Sequence, residues 1–160
     1  MTTTEKEFTA FMHENRGIIF KVIRLYVNHP EDEQDLFQEI HLQAWRSYAR
    51  FNGLSKFSTW LYRVSLNTVL TFKRRQVLVK PSEHLEKFGG THDPHGRTED
   101  SEALYLAIRE LSEIDRMIIT LHLDGYENEE VAEISGLTKN NVAVKLHRIK
   151  ETLTKKLKLN

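Results

Sequence analysis

The sequence predicts an all-α fold of two small helical domains joined by a flexible linker. Three observations lead to this prediction. Apolar residues recur at spacings of three and four along most of the chain, as on one buried face of a helix. No segment shows the sustained period-two alternation of a strand between turn residues. Glycines and prolines gather in residues 80–102, a stretch with little apolar periodicity that separates two periodic halves.

The amino-terminal half is predicted to hold three helices. The first runs from about Glu5 to Asn28, the second from about Glu31 to Tyr48 and the third from about Ser58 to Val77. FNGLSKF, residues 51–57, connects the second to the third, and its Asn-Gly pair is a turn signal. On the third helix one apolar face is expected to enter the core. The residues of that face are Phe57, Leu61, Val64 and Phe72, with Trp60 at its margin.

The carboxy-terminal half is predicted to hold four helices. The first spans about Ser101 to Glu110. Ser112 is expected to cap the second, with Asp115 as its capping-box acid and an end near Asp124-Gly125. NEEVAEIS forms the third, capped by Asn128 and stopped by Gly136. Thr138 is the expected cap of the fourth. The predicted domains are therefore residues 1–79 and 101–160, with a linker over 80–100.

Charge is distributed in blocks, although the formal net charge is zero. Residues 41–80 carry eight basic groups and no acid, whereas residues 99–135 carry two basic and eleven acidic groups. Residues 137–160 carry seven basic groups and one acid. Because the Debye length at physiological salt is only about 8 Å, blocks on different faces do not cancel locally. A polyanion can bind the basic blocks while the acidic blocks face elsewhere or meet a basic partner.

Composition also excludes several classes of protein. No stretch approaches the roughly 18 apolar residues of a membrane span, so we expect no membrane insertion. The start of the sequence does not have the pattern of a signal peptide. The absence of cysteine excludes disulfides and thiolate metal sites, and it suits a reducing compartment. These features predict a cytoplasmic protein.

The last two predicted helices have the form of a helix-turn-helix. A glycine-centred connection, Ser135-Gly136-Leu137, joins them, and in this motif the second helix enters the major groove of DNA. On that second helix Val142, Leu146, Ile149 and Leu153 form a buried stripe. Asn140, Asn141, Val144, His147 and Arg148 lie on the opposite side, with Lys145 on the flank. Asparagine can pair with adenine and arginine with guanine. An ordinary solvated basic helix is the alternative interpretation.

A second basic segment, residues 56–75, interleaves cations with aromatic side chains. Aromatic rings can stack on unpaired bases while the cations hold the backbone. A packed core is the competing interpretation of the same aromatic residues.

The two halves together resemble bacterial RNA polymerase sigma factors of the extracytoplasmic-function group. The resemblance rests on DLFQE at residues 35–39, FSTWLYR at residues 57–63 and DGYENEEVAEISGLT at residues 124–138. These motifs resemble the second and fourth conserved regions of that group in order and spacing. Lys139, Asn140 and Asn141 replace the family's usual small residues in the recognition helix.

The resemblance implies a protein that binds core RNA polymerase, places it on a promoter and helps to open the duplex. It assigns the minus-thirty-five element to Thr138, Lys139, Asn140, Asn141, Val144, Lys145 and Arg148. It assigns the minus-ten element and the melted strand to Asn52, Gly53, Ser55, Lys56, Arg63, Asn67 and Arg74. It assigns polymerase docking to Asp35, Gln38, Glu39, Gln43 and Arg46. Many relatives are also held inactive by an anti-sigma protein.

An enzyme is not expected. The sequence has no recognisable pair of acids for general acid/base catalysis, no phosphate-binding glycine loop and no histidines at metal-ligand spacing. His92 and His95 are close, but they lie in the predicted linker. We therefore expect no catalytic residue, metal, cofactor or small-molecule substrate. Two other functions stay open: a helix-turn-helix regulator that acts without polymerase, and a helical adaptor that binds only protein.

Overall fold

The computed structural model describes residues 2–79 and 98–158. Within those ranges the chain forms helices and no strands, which confirms the predicted all-α fold. The helices are α1 (Thr3–Glu14), α2 (Arg16–Tyr26), α3 (Pro30–Tyr48), α4 (Phe57–Val79), α5 (Glu99–Arg109), α6 (Glu113–Leu123), α7 (Asn128–Ser135) and α8 (Lys139–Lys158). The chain divides into two compact units, residues 1–90 and 91–160.

The linker predicted over residues 80–100 lies outside the described residues as far as position 97. Of its last three residues, which are described, Glu99 and Asp100 are helical, because α5 begins at Glu99, and Thr98 caps that helix. The Thr98 hydroxyl accepts a hydrogen bond of 3.2 Å from the backbone N–H of Ser101. The predicted domain boundaries themselves stay a prediction.

The amino-terminal helix predicted as continuous is in fact two helices that meet at Asn15. The Asn15 backbone leaves the helical conformation, with φ −110° and ψ 12°. Its side-chain Nδ2 donates to the carbonyl of Phe11 at 2.8 Å, and its own N–H donates to the same carbonyl at 3.1 Å. An asparagine side chain competes in this way for backbone groups, and Gly17 just beyond has a low helix propensity. The apolar period stays in phase across the break, so periodicity could not reveal it.

Helix caps in the second unit follow the sequence signals with two exceptions. Asp115 does not act as the predicted capping-box acid of α6, because its carboxylate lies toward Lys145, 3.6 Å away, and does not return to the Ser112 N–H. Ser112 accepts from Asp115 N–H at 3.3 Å, and Thr138 accepts from Asn141 N–H at 3.1 Å. The predicted cap of α7, Asn128, is wrong, because Glu127 occupies that position. The Glu127 side chain accepts from the N–H of Glu130, whose own carboxylate accepts from the Glu127 N–H at 3.3 Å. A reciprocal pair of carboxylates satisfies two free N–H groups at the positive end of the helix dipole.

In the first unit, α2 and α3 both pack against α4. The core residues Ile19, Ile23, Leu36 and Ile40 are fully buried there. The predicted inward face of α4 is partly wrong: Phe57 and Leu61 are buried, but Val64 and Phe72 are only half-buried. The buried stripe instead continues through Ser65 and Val69, since both α2 and α3 cover this side of α4.

In the second unit, α8 packs against α5, α6 and α7. The predicted inward stripe is confirmed, because Val142, Leu146, Ile149 and Leu153 are all buried. A buried arginine closes the turn between α5 and α6. The Arg116 guanidinium donates from Nη2 to the carbonyls of Arg109, at 2.7 Å, and Leu111, at 3.1 Å. These bonds satisfy carbonyls that the end of α5 would otherwise leave without a helical partner.

Candidate functional site

The exposed face of α8 carries the residues that the sequence predicts to contact DNA. Gly136 ends α7 with φ +79°, a left-handed conformation that suits glycine, and α8 begins three residues later. Because the apolar stripe of α8 is buried, its opposite side faces solvent. Lys145 is half-buried on the flank. The exposed members of the predicted set are Thr138, Lys139, Asn140, Asn141, Val144 and Arg148.

Three lysines of α8 are paired with acids of the same unit. The Lys139 ammonium donates to Glu129 of α7 at 2.6 Å. The Nζ atom of Lys145 lies 3.6 Å from Oδ1 of Asp115 on α6. The Nζ atom of Lys156 lies 3.1 Å from Oε2 of Glu110 at the end of α5. Part of the acidic block, residues 99–135, therefore faces the basic helix α8, although the two blocks are separate along the sequence. It neutralises part of that helix, because α5, α6 and α7 all pack against α8.

The pairing of Lys139 has a consequence for its protonation. The hydrogen bond from Lys139 to Glu129, and then the charge of that carboxylate, raise the pKa of the lysine above its ordinary value. The Glu129 carboxylate thus stabilises the charged form of the Lys139 side chain. A phosphate that approaches this lysine has to compete with Glu129 for it.

The loop between α3 and α4, residues 49–56, is held in a defined turn. Gly53 has φ +75°, and the backbone N–H of Leu54 donates to Oδ1 of Asn52 at 3.1 Å. Asn52, Gly53 and Lys56 are exposed, and Ser55 is half-buried. The tip of the loop also presents Leu54, which is 90% exposed and which the sequence analysis left out. The signal for Leu54 in the sequence is an apolar residue directly after the Asn52-Gly53 turn pair.

A cluster of aromatic rings fixes both ends of this loop. Phe51 packs against Trp60 and Phe57, with ring centroids 5.3 Å and 5.8 Å apart. The ring centroid of Tyr48 lies 6.2 Å from those of both Phe51 and Trp60. These rings therefore act as core, which is the competing interpretation that the sequence analysis left open, and the cations beside them remain at the surface.

Three residues predicted to hold the melted strand form one stripe on α4. Arg63, Asn67 and Arg74 are all exposed, and at 100° per residue they fall within about 40° of one another. This stripe lies on the side of α4 opposite Leu61 and Val69, which are buried. The stripe and the loop tip both belong to the first unit.

The predicted polymerase-docking residues lie on the solvent side of α3. Asp35, Gln38, Glu39 and Arg46 are exposed, and Gln43 is half-buried and donates to Glu39 at 2.8 Å. Leu42 lies among them with 41% of its surface exposed, so the face combines charge with an apolar centre. The opposite side of α3 is buried through Leu36, Ile40 and Ala44.

A groove of about 440 Å³ separates this face from α4. Asp35, Glu39 and Gln43 line one wall, and the α4 wall includes Asn67 and Arg75. The structure thus brings three predicted docking residues beside one predicted strand-binding residue. Arg75 is a basic group at this junction that the predicted set did not include.

Some classes of site are absent from the part of the chain that the structure describes. It contains no group of three or more histidine, aspartate and glutamate side chains placed to hold a metal ion. None of its helices combines the length and apolarity needed to cross a membrane.

Comparison with known protein families gives two matches. The family described as Sigma-70 region 2 matches residues 11–78, and the family described as Sigma-70, region 4 matches residues 101–153. The first match contains α2, α3 and the loop that follows, and the second contains α6, α7 and α8 as far as Leu153. The two matches follow one another in the order in which the two units occur.

Individual relatives span almost the whole chain. The ECF RNA polymerase sigma-E factor of Escherichia coli K12 is 32% identical, over 96% of this chain and 87% of that protein. The protein of the same name from Haemophilus influenzae is 29% identical, over 96% of this chain and 88% of that protein.

Solved structures share the fold. The sigma factor RpoE in complex with the anti-sigma factor NepR from Bartonella quintana matches with a TM-score of 0.73 and 21% identity, over 98% of this chain and 97% of that chain. CnrH, solved in complex with the cytosolic domain of CnrY, matches with a TM-score of 0.71 and 17% identity, over 98% of this chain and 90% of that chain.

Proposed function

Since the chain belongs to the extracytoplasmic-function group of the sigma-70 family, we propose that its two units carry three distinct surfaces for promoter-specific transcription initiation. The chain is a sigma factor that directs initiation. One surface, on α8, contacts the minus-thirty-five element. A second, on the loop and α4, contacts the minus-ten element, and the third, on α3, docks on core RNA polymerase.

The α8 surface is suited to reading bases in the major groove. Asn140, Asn141 and Arg148 are exposed on the side away from the buried stripe. Their side chains are the types that pair in two-bond contacts with adenine and guanine. Lys139 and Lys145 stand beside them at positions suited to phosphate contacts, which orient a protein without reading sequence.

The loop and the α4 stripe are suited to a melted strand. Opening a duplex requires unstacking and unpairing, and a protein can offset that cost by binding an extruded base. Asn52, Ser55 and Lys56 offer hydrogen-bond donors at a turn that is fixed by Gly53. Arg63 and Arg74 continue a basic track along α4 that suits the neighbouring phosphates. The single observation that carries this proposal is the placement of loop and track on one unit without any acid in residues 41–79.

The α3 face is suited to a protein partner. It has carboxylates, amides and an arginine around the half-exposed Leu42. An apolar centre inside a polar rim is the usual anatomy of a protein interface. Because Asp35, Glu39 and Gln43 share a groove with Asn67, polymerase docked on α3 stands directly beside the strand-binding stripe.

Two further parts of the proposal concern partners and location. An anti-sigma protein is proposed as a partner, because the sigma factor RpoE, which shares this fold, was solved in complex with one. The chain acts in the cytoplasm beside polymerase, and it has no catalytic activity of its own.

The absence of cysteine makes a direct test of this division possible. A single cysteine at Ser55 or at Glu151 can carry an iron chelate that cleaves nearby DNA. In a complex with core polymerase, the Ser55→Cys conjugate is expected to cleave around the minus-ten element, and the Glu151→Cys conjugate around the minus-thirty-five element. A Glu14→Cys conjugate on α1 is the control and should leave both elements intact. Cleavage of the same element by both test conjugates contradicts the proposed division.

A further inference from the structure

His147 carries a titratable group on the exposed side of α8, and the proposed base and phosphate contacts do not include it. Its side chain retains 77% of its accessible surface. At 100° per residue it falls within about 20° of Asn140 and about 60° of Val144 around the helix axis. The imidazole is therefore directed to the same side as the residues proposed to meet the upstream element.

The position of His147 along α8 favours a phosphate over a base as its partner. In a helix-turn-helix the first residues of the second helix meet base edges. His147 follows Asn140 by seven residues, which amounts to two turns and about 10 Å along the axis. A side chain that far from the start of the helix lies towards the margin of the groove, where the sugar–phosphate backbone runs.

The charge close to His147 comes from its own helix. Its Nε2 atom lies 3.3 Å from Oε1 of Glu151, one turn later. Glu151 is the only acid of α8, and it is exposed on the same side as His147. Arg148 and Lys150 are the cations nearest to His147 in the sequence, and both are exposed.

The helices that pack against α8 bring no ion-pair partner to His147 among the described residues. They cover the buried stripe on the opposite side of α8. Each acid that reaches α8 from α5, α6 or α7 lies beside a lysine instead, in the pairs Glu110–Lys156, Asp115–Lys145 and Glu129–Lys139. The two arginines of α5 and α6, Arg109 and Arg116, are buried. His147 therefore responds to Glu151 and to whatever binds the exposed side of α8.

We propose that His147 binds a DNA phosphate only when it is protonated, so that pH sets part of the affinity for the upstream element. Imidazole in ordinary surroundings gains and loses its proton between pH 5 and 8, and both nitrogens of the charged ring donate hydrogen bonds. When the ring is neutral, the charge of Glu151 is left uncompensated and repels phosphates. Because DNA binds the charged form more tightly, binding takes up a proton and affinity falls as pH rises.

This inference rests on the proposed function of α8 and adds a dependence on pH to it. Fluorescence anisotropy of the full chain with a short upstream duplex, at about pH 6 and about pH 8, measures the effect. The wild-type chain should bind about three- to tenfold more tightly at the lower pH. The difference should shrink at high salt, since salt screens a phosphate contact.

Two substitutions at this exposed position separate charge from shape. His147→Gln is neutral at both pH values and should lose the difference between them. His147→Lys is charged at both and should bind at either pH about as tightly as the wild-type chain does at the lower one. His122→Gln is the matched control, because His122 is the other histidine of the second unit within the described residues. It should keep the full pH dependence.

The outcomes that overturn the inference differ from those that overturn the proposed function. If His147→Gln keeps the wild-type pH dependence, or if His122→Gln loses it, His147 is not the group that responds to pH, and upstream contact by α8 is unaffected. If no variant binds the duplex at either pH, the proposed function of α8 fails, and this inference fails with it.

Discussion

Lys139, on the first turn of α8, donates a 2.6 Å hydrogen bond from Nζ to Oε1 of Glu129 on α7. The lysine predicted to meet DNA is therefore held by a carboxylate of the preceding helix of the same helix-turn-helix. Both side chains are largely exposed, so water and salt screen the pair. DNA has to displace Glu129, and this acid should weaken binding to the upstream element.

Removing that competition should tighten DNA binding. Glu129→Gln keeps the shape of the side chain but releases Lys139 to a phosphate. We expect binding of duplex upstream DNA to become about two- to fivefold tighter. The slope of log affinity against log salt concentration should become steeper by up to about one unit, because one more counterion is released. Fluorescence anisotropy across a salt series measures both quantities.

Glu133→Gln is the matched control for this prediction, since it removes the same charge from an exposed position one turn along α7. It should change affinity less than Glu129→Gln does. Equal effects of the two variants would attribute the change to net charge and not to Lys139.

Arg148 is expected to read a base. Replacing it with alanine should weaken binding by about 1–3 kcal/mol and relax the preference at one base pair of the upstream element. Lys155→Ala, on the same exposed side nearly two turns later, is the control and should weaken binding similarly for all sequences. Selection from a randomised DNA pool measures the preferences. If Arg148→Ala leaves both affinity and preference unchanged, the assigned face of α8 is wrong.

Charge reversal on α3 should break polymerase docking. Asp35→Lys with Glu39→Lys adds repulsion at an interface as well as removing contacts, so co-purification with core polymerase should be lost. Helix content should stay intact, because both side chains are exposed. The double change Glu7→Lys with Glu14→Lys on α1 alters the net charge equally and should leave polymerase binding normal. Normal binding by the folded α3 variant would move the docking surface elsewhere.

The turn between α7 and α8 should depend on its glycine. Gly136 has φ +79°, so Gly136→Ala should destabilise the second unit by about 1 kcal/mol through backbone strain. Gly17→Ala is the control, because Gly17 lies in α2 without positive φ, and it should stabilise the first unit by roughly 0.5–1 kcal/mol. Circular dichroism follows both units during urea unfolding.

Tryptophan fluorescence separates the two units in that experiment, since both tryptophans, Trp45 and Trp60, lie in the first unit. Gly136→Ala should leave the fluorescence transition in place while it shifts the circular-dichroism signal. A shift of the fluorescence transition in that variant would show that the units unfold together.

Periodicity predicted the parts of this fold that one face of one helix determines. The buried stripe of α8, from Val142 to Leu153, follows from the helical repeat alone. Gly136 marks the turn before α8 because glycine accepts a positive φ, and Thr138 marks the start of α8 because its hydroxyl can cap a helix. The break at Asn15 was missed because the apolar repeat continues in phase across it. On α4 the sequence misplaced Val64 and Phe72, since the inward side depends on where α2 and α3 pack.

For the candidate site, the sequence predicted which side chains of a single helix are exposed, but not which side chains of different helices meet. Exposure of Asn140, Asn141 and Arg148 follows from the stripe opposite them. The pairing of Lys139 with Glu129 and of Lys156 with Glu110 depends on how helices distant in sequence pack together, which a repeat does not encode. The groove that joins Asp35 and Glu39 to Asn67 likewise arises only when α3 and α4 are in contact.

Permanganate footprinting of promoter DNA shows whether this chain opens promoters through the loop before α4. Core polymerase with the wild-type chain should make thymines in the minus-ten region reactive on promoters selected from a library. Replacing residues 52–56 with glycine and serine should abolish that reactivity while polymerase binding and upstream contact persist. Unchanged reactivity with the replaced loop would place the opening function outside residues 52–56, and no reactive thymines with the wild-type chain on any promoter would show that the chain does not open promoters.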